Sequence, residues 1–161
     1  MPVARFRLAV EQDIPTLIAM RREFTFEDTT GGDEAESPTY LDDAQKFMRD
    51  AIESGRWHVW VAEVDGQIVS HAFVAYVDKV PRPTRERRRI AYLTNVYTRP
   101  DFRGRGIGGA LIERAQARAA EADVELMMVW PSDESIDFYR RQGFAPSEEP
   151  VIWVVPEPPH A

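Results

Sequence analysis

The chain has 161 residues, 43% of them apolar and 29% charged, with a formal net charge of -7 and no Cys. That size suits a single domain with one hydrophobic core, and the balance excludes wholesale disorder, a disulfide framework and a thiolate metal site. No apolar run approaches the ~20 residues of a membrane-spanning helix. The opening stretch MPVARFRLAV is too short and too charged for a signal peptide, so the expected setting is cytoplasmic, with no membrane partner. Charge is uneven: residues 82–118 hold 10 Arg against 3 acids, whereas both flanks are acidic. A basic segment inside an acidic chain points to a local anion site, and an acidic remainder favours a cationic substrate.

In chain order, Val3–Val10 is predicted as a first strand, with Val3, Phe6, Leu8 and Val10 mostly alternating. Asp13 is the predicted N-cap of a first helix that carries Pro15 in its first turn and Ile14, Leu17, Ile18 and Phe24 at helical spacing. Residues 27–38 are acidic, small and turn-rich and are predicted as a loop. A second helix is predicted from Tyr40 to Ser54, with Leu41, Ala44, Phe47, Met48 and Ala51 on one stripe and Gly55 as its stop. Two β-rich runs, 57–64 and 67–77, flank Asp65-Gly66, the strongest short hairpin signal.

A charged excursion at 78–89 leads to a predicted strand over 90–98, a turn over 99–105 and a helix over 106–122 with Ile107, Leu111, Ala115 and Ala119 inward. Residues 124–130 are nearly all apolar, as in a strand buried on both faces. A short helix over 131–142, capped by Gly143, and a last strand over 151–155 that closes the sheet complete the prediction. The expectation is one α/β domain over residues 1–156 with a frayed tail at 157–161. Its strands are mostly antiparallel first, followed by a strand–helix–strand–helix unit.

The sharpest motif is Arg103-Gly104-Arg105-Gly106-Ile107-Gly108-Gly109, between a predicted strand and a predicted helix. Glycines let the backbone approach a ligand closely at positive φ. A helix start offers unpaired N–H groups and partial positive charge to a phosphate, and Arg103 and Arg105 add cations. Gly104, Gly106 and Gly109 fit the dinucleotide spacing G-x-G-x-x-G, but the strand ends at Thr98, well before the first Gly, and no second mononucleotide-binding half follows. The P-loop spacing places Ala110 and Leu111 where Lys and Ser/Thr are needed. A third pattern, [Q/R]-x-x-G-x-[G/A], fits as Arg103, Gly106 and Gly108.

That pattern, after LTNVYTRPDF and before an amphipathic helix, resembles the GCN5-related N-acetyltransferases (GNAT). The resemblance continues at Trp130–Phe144, similar to the family's strand followed by N-x-x-A-x-x-F-Y-x-x-x-G-F, with Ser132 in place of the usual Asn and Ser135 in place of the usual Ala. The two motifs cover residues 90–145. The resemblance implies a mixed, mostly antiparallel twisted sheet with helices on both faces. It also implies acetyl transfer from acetyl-CoA to a primary amine, small-molecule or peptide, by direct attack in a ternary complex.

Carried over by residue, the resemblance implies that the backbone N–H groups of Arg103, Gly104, Arg105, Gly106, Ile107, Gly108 and Gly109 hold the CoA pyrophosphate. Asn95, Val96, Tyr97 and Thr98 would run along the pantetheine arm on a strand that splays from its neighbour. A backbone N–H near Tyr97 would face the thioester oxygen. Ser132 and Ser135 would lie near the CoA arm, and Tyr139 would serve as general acid toward the CoA sulfur. A phenol and a thiol differ by about 1.5 pKa units, roughly 2 kcal/mol, so a hydrogen bond to the developing thiolate serves as well as complete transfer.

No base is assigned: Glu23, Glu27, Asp28, His58 and His71 are the candidates, each also readable as an ordinary structural or surface residue. Trp130 either walls the acceptor pocket or packs in the core. No His/Asp/Glu cluster has metal-ligand spacing, so no metal is expected. Five Arg within 82–89 lack aromatic interleaving and sit in an acidic chain, so no nucleic-acid partner is expected. A non-catalytic acyl-CoA-binding domain is the rival reading, a homodimer is left open, and the acidic stretch 27–37 points to a cationic acceptor.

Overall fold

The computed structural model describes residues 3–28, 36–84, 89–148 and 150–155. The predicted positions 29–35 of the acidic loop, 85–88 of the arginine-rich excursion and the tail from residue 156 lie outside them. The chain divides into two compact units, Met1–Trp130 and Pro131–Ala161.

The first unit is built on a five-stranded sheet in chain order: β1 (Arg5–Leu8), β2 (Trp57–Val64), β3 (Gln67–Asp78), β4 (Arg89–Thr98) and β5 (Val124–Val129). β1–β2, β2–β3 and β3–β4 pair antiparallel and β4–β5 parallel, as the mixed, mostly antiparallel expectation requires. The hairpin forms where Asp65-Gly66 predicts it, with φ of 51° and 76° at the two turn residues, the conformation a two-residue primed turn needs.

Two helices, α1 (Ile14–Asp28) and α2 (Tyr40–Glu53), share one core with one face of the sheet: Leu17, Met20, Met48 and Ala51 pack with Val59, Val61, Phe73 and Tyr97. Each fully buried side chain of this size contributes about 1.5–3 kcal/mol. The opposite face carries Ala62, Ala72, Val74 and Leu93, all fully buried. There α3 (Ile107–Glu121) buries Ile107, Leu111, Ile112, Ala115 and Ala119, the predicted stripe extended by one residue. Arg114 of α3 stacks on Phe6, which pairs with Ala62, and this places α3 on that face.

Three expectations change. Asp13 does not cap α1; it ends a one-turn 3-10 helix and reaches back to accept the Val10 N–H (2.8 Å) while pairing with Arg7 (2.6 Å). The buried charge pair, itself joined to Glu63, prevails over the capping role. β5 is not buried on both faces: it is the last strand of the sheet order, and Leu126 is 45% exposed. In the second unit, Val151–Val155 forms no strand despite its β-branched composition, and its side chains are exposed. A strand needs a ladder partner, and no described residue pairs with it.

The second unit contains α4 (Ile136–Arg141), entered by a 3-10 turn over Asp133–Ser135 and ended at Gly143, φ 85°. No helix among the described residues is long and apolar enough to cross a membrane.

Candidate active site

The site begins where a ladder stops. β5 accompanies β4 only from Arg89 to Leu93; beyond the pair Leu93–Val129 the strand continues to Thr98 against β3 alone. Within that free half the register with β3 slips by one residue, His71 facing Tyr97 and Phe73 facing Thr94, so Asn95 and Val96 together oppose Ala72. Asn95 has φ 49°, a left-handed conformation that Asn tolerates better than most residues.

Backbone direction follows from the alternation. Arg99 N–H pairs with Val69 O (2.9 Å), so Tyr97, two residues earlier, also turns its backbone groups to β3. Val96 and Thr98 turn theirs the other way, into the gap left by β5. The Thr98 carbonyl there is taken by Arg103 Nε (2.8 Å).

From Thr98 the chain passes a 3-10 turn at Pro100–Phe102 into the glycine run. Gly104 (φ 70°) and Gly106 (φ 74°) adopt backbone conformations that an L side chain rarely takes, and a Cβ at either would meet no atom within 4 Å, so the loop opens on free space. Gly106 is the residue before α3, and the first helical bond is Ala110 N–H to Gly106 O (3.0 Å). The N–H groups of Ile107, Gly108 and Gly109 therefore have no carbonyl within the helix, at its positive end.

The arginines are more engaged than the sequence suggests. Arg103 binds Glu27 (2.8 Å) as well as Thr98 O and lies over the Tyr97 ring, 5.6 Å away; Arg105 binds Asp101 O (2.8 Å) and covers Phe102. Tyr97 is buried, stacks on Phe24 at 5.2 Å, and donates its hydroxyl to Glu27. Burial, then that carboxylate, push the phenol up to about 12. The Arg103 guanidinium holds Glu27 below the usual carboxylate range.

Next along α1, Glu23 grips Arg99 with both oxygens (2.9 and 3.0 Å), and Arg21 donates to Asn95 Oδ1 (3.1 Å). Sequence reading missed this clamp of α1 on the free half of β4. Its signal was the inner stripe of α1 running from Leu17 and Met20 through Phe24 into Glu23 and Glu27.

The base candidates are therefore committed elsewhere. Glu23 and Glu27 are paired. Asp28 closes α1, and its side chain lies outside the described residues. His58 Nδ1 meets Tyr76 OH at 2.9 Å, and burial lowers its pKa. His71 is fully buried, 2.7 Å from Asn95 O through Nδ1, and burial holds it down to about 4 against that hydrogen bond. Trp130, at the end of β5, is 58% exposed with its ring edge against Tyr92 (6.0 Å), which rules out core packing.

In the second unit, Tyr139 is buried, with Phe138 and Phe144 at 5.2 and 5.6 Å in edge-on contact. Ser132 and Ser135 bind each other (3.1 Å), and Ser135 also donates to Ser132 O (3.0 Å), fastening the entry to α4.

Comparison with known proteins gives the same family as the two motifs. The family model described as an acetyltransferase (GNAT) domain matches residues 55–146, more than half of the chain. An uncharacterized N-acetyltransferase of Methanocaldococcus jannaschii is 34% identical over 102 residues, 59% of this chain and 42% of that protein, so the match spans less than half of that relative. An uncharacterized N-acetyltransferase of Lactobacillus delbrueckii subsp. lactis is 28% identical over 154 residues, covering 88% and 84% of the two chains. The crystal structure of a predicted acetyltransferase with acetyl-CoA from Clostridium acetobutylicum superposes with a TM-score of 0.78 at 24% identity, over 94% of this chain and 96% of that one, and shares its fold. This chain belongs to the GCN5-related N-acetyltransferase family and has its fold.

Proposed function

We propose that this protein transfers the acetyl group of acetyl-CoA to a primary amine by direct attack in a ternary complex. The observation that carries the reading is the half-strand Thr94–Thr98, left without β5 and followed at once by an open glycine turn and a helix start. Those residues fit the co-substrate. The N–H groups from Gly104 to Gly109 suit a pyrophosphate, whereas the predicted Arg103 N–H is used on Pro100 O (3.1 Å). The outward groups of Val96 and the Thr98 N–H suit the amide-bearing pantetheine arm beside Asn95 and Tyr97, the Thr98 carbonyl being held by Arg103.

Bound acetyl-CoA supplies an activated acyl group. The Val96 N–H, aimed into the gap, hydrogen-bonds the acyl oxygen as negative charge develops there; one such donor is worth about 10²–10³ in rate. The amine nitrogen bonds the acyl carbon, the carbon–sulfur bond breaks, and the amine releases a proton to water. In the roles that the family resemblance implies, Tyr139 would hydrogen-bond the departing sulfur and supply its proton, and Ser132 and Ser135 would contact the CoA arm. With Glu23, Glu27, His58 and His71 all engaged, no side chain is assigned as base.

The absence of Cys leaves no thiol for an acyl-enzyme, in keeping with direct transfer. The acceptor is left at the level of a primary amine, with a cationic one favoured by the acidic flanks.

The test is an amine screen with acetyl-CoA, read by thiol release, followed by varying both substrates. Intersecting double-reciprocal lines are expected, and parallel lines would contradict direct attack. Tyr139→Phe is expected to lower kcat by about 10²-fold with CoA affinity kept, the usual size of a general-acid contribution. Acetyl-CoA binding without turnover on any amine would favour the non-catalytic acyl-CoA-binding reading.

A further inference from the structure

We infer that His71 is a positioning residue for acetyl transfer: its Nδ1–H, donated to the carbonyl of Asn95, holds the β4 bulge that turns the Val96 N–H into the gap. The inference rests on the acetyl-transfer reading above for its kinetics, and on the backbone alone for its geometry.

The register shows what the bulge does. From Asp78 down to Phe73 each residue of β3 faces the β4 residue whose number makes a constant total with its own, as Phe73 faces Thr94 and Val74 faces Leu93. Continued without the extra residue, that register would set His71 opposite Val96, and the Val96 N–H would be used on the His71 carbonyl. The bulge puts Tyr97 in that place instead and leaves Val96 facing outward. An oxyanion donor exists on this strand only because one residue is held out of the ladder.

Two side chains hold it. Asn95, at φ 49°, is fastened by Arg21 on its side-chain oxygen (3.1 Å) and by His71 Nδ1 on its backbone oxygen (2.7 Å). A carbonyl only accepts, so Nδ1 carries the proton, and in the neutral ring Nε2 is a bare acceptor. That Nε2 is buried without a hydrogen-bond partner. His71 touches Phe73 and Tyr97 edge-on or tilted, an aromatic setting where Phe would fill the space with no polar atom to desolvate. A buried, half-satisfied imidazole costs free energy that Phe avoids, and the one thing it adds here is the bond to Asn95.

The experiment compares wild type, His71→Phe and His71→Asn, since the Asn amide nitrogen sits where Nδ1 does. Backbone carbon shifts at Asn95 report its positive φ; kcat and the CoA dissociation constant are measured beside them. His71→Phe is expected to lose the positive-φ signature and about 10²-fold in kcat, with CoA affinity changed less than about threefold, because an oxyanion donor and not the cofactor grip is misplaced. His71→Asn is expected to keep the signature and recover at least about tenfold of the loss.

A folded Phe variant with the signature intact, or with kcat within about threefold of wild type, overturns the inference. Where the Phe variant does not fold, His71→Asn decides, and loss of the bulge signature in it overturns the inference. If wild type acetylates no amine, the acetyl-transfer reading has failed, and the Asn95 shifts still judge the clamp.

Discussion

The two halves of β4 are held in different ways. Arg89–Leu93 is laddered on both edges, by β3 and β5, with Ala91 and Leu93 fully buried against the α3 side. Thr94–Thr98 is laddered on one edge, bulged at Asn95, and held from α1 by Arg21 on Asn95 and Phe24 on Tyr97, with Glu23 and Glu27 gripping Arg99 and Arg103 just beyond it. The first half spends its backbone on the sheet. The second has no strand on its other edge, at the point where the glycine turn begins. On the proposed reading, a strand becomes a binding edge here because its neighbour stops.

The comparison predicts that stability and function separate along this strand. The largest effect belongs to the first half. Leu93→Ala removes a fully buried side chain and is expected to destabilise by about 3 kcal/mol in thermal or urea unfolding, while the folded fraction binds acetyl-CoA normally. A weakened cofactor site of equal size would blur the division.

The acid limb of stability comes next. His71 is neutral in the folded chain down to about 4, with Arg21 and Arg99 the charges among the described residues that act on it. The unfolded chain takes up that proton near 6.5, so stability is full above 6.5 and falls as pH drops from there through 4. The loss approaches about 3 kcal/mol, and His71→Phe is expected to flatten this limb of a pH series of unfolding curves.

The smallest effect on stability lies in the second half. Arg103→Ala removes a half-exposed ion pair and the cover of Thr98 O, so unfolding should move by less than about 1 kcal/mol. Acetyl-CoA affinity should nevertheless fall about tenfold, roughly 1.4 kcal/mol. A variant that unfolds easily but binds well would reverse the assignment of this residue.

Much of the fold was legible because local signals and tertiary context agree. The Asp65-Gly66 turn, the α3 stripe and the glycine run all stand where spacing puts them. The candidate site was legible in its glycine half for the same reason: positive φ at Gly104 and Gly106 is a property of the residue type.

The strand half was not. A bulge is a register event between two strands, and its only local trace is an Asn amid β-formers. The pairing of Glu23 with Arg99 joins residues far apart in sequence, so these acids read as free base candidates. Likewise, the composition of 151–155 and 124–130 speaks for strands but says nothing of which edges and faces find a partner, and there the expectations of a closing strand and of a doubly buried one failed.

The central claim, that the free half of β4 and the glycine turn together form an acetyl-CoA site, is tested most directly by calorimetric titration. Acetyl-CoA is added to wild type and to the Arg103→Ala/Gly106→Asp double variant, which removes the cover of Thr98 O and places a strained, negatively charged side chain at the start of α3. Binding near about micromolar in wild type and at least about 100-fold weaker in the variant is the predicted result, since roughly 2.8 kcal/mol separates the two. No heat at millimolar acetyl-CoA, or equal binding by both proteins, would contradict it.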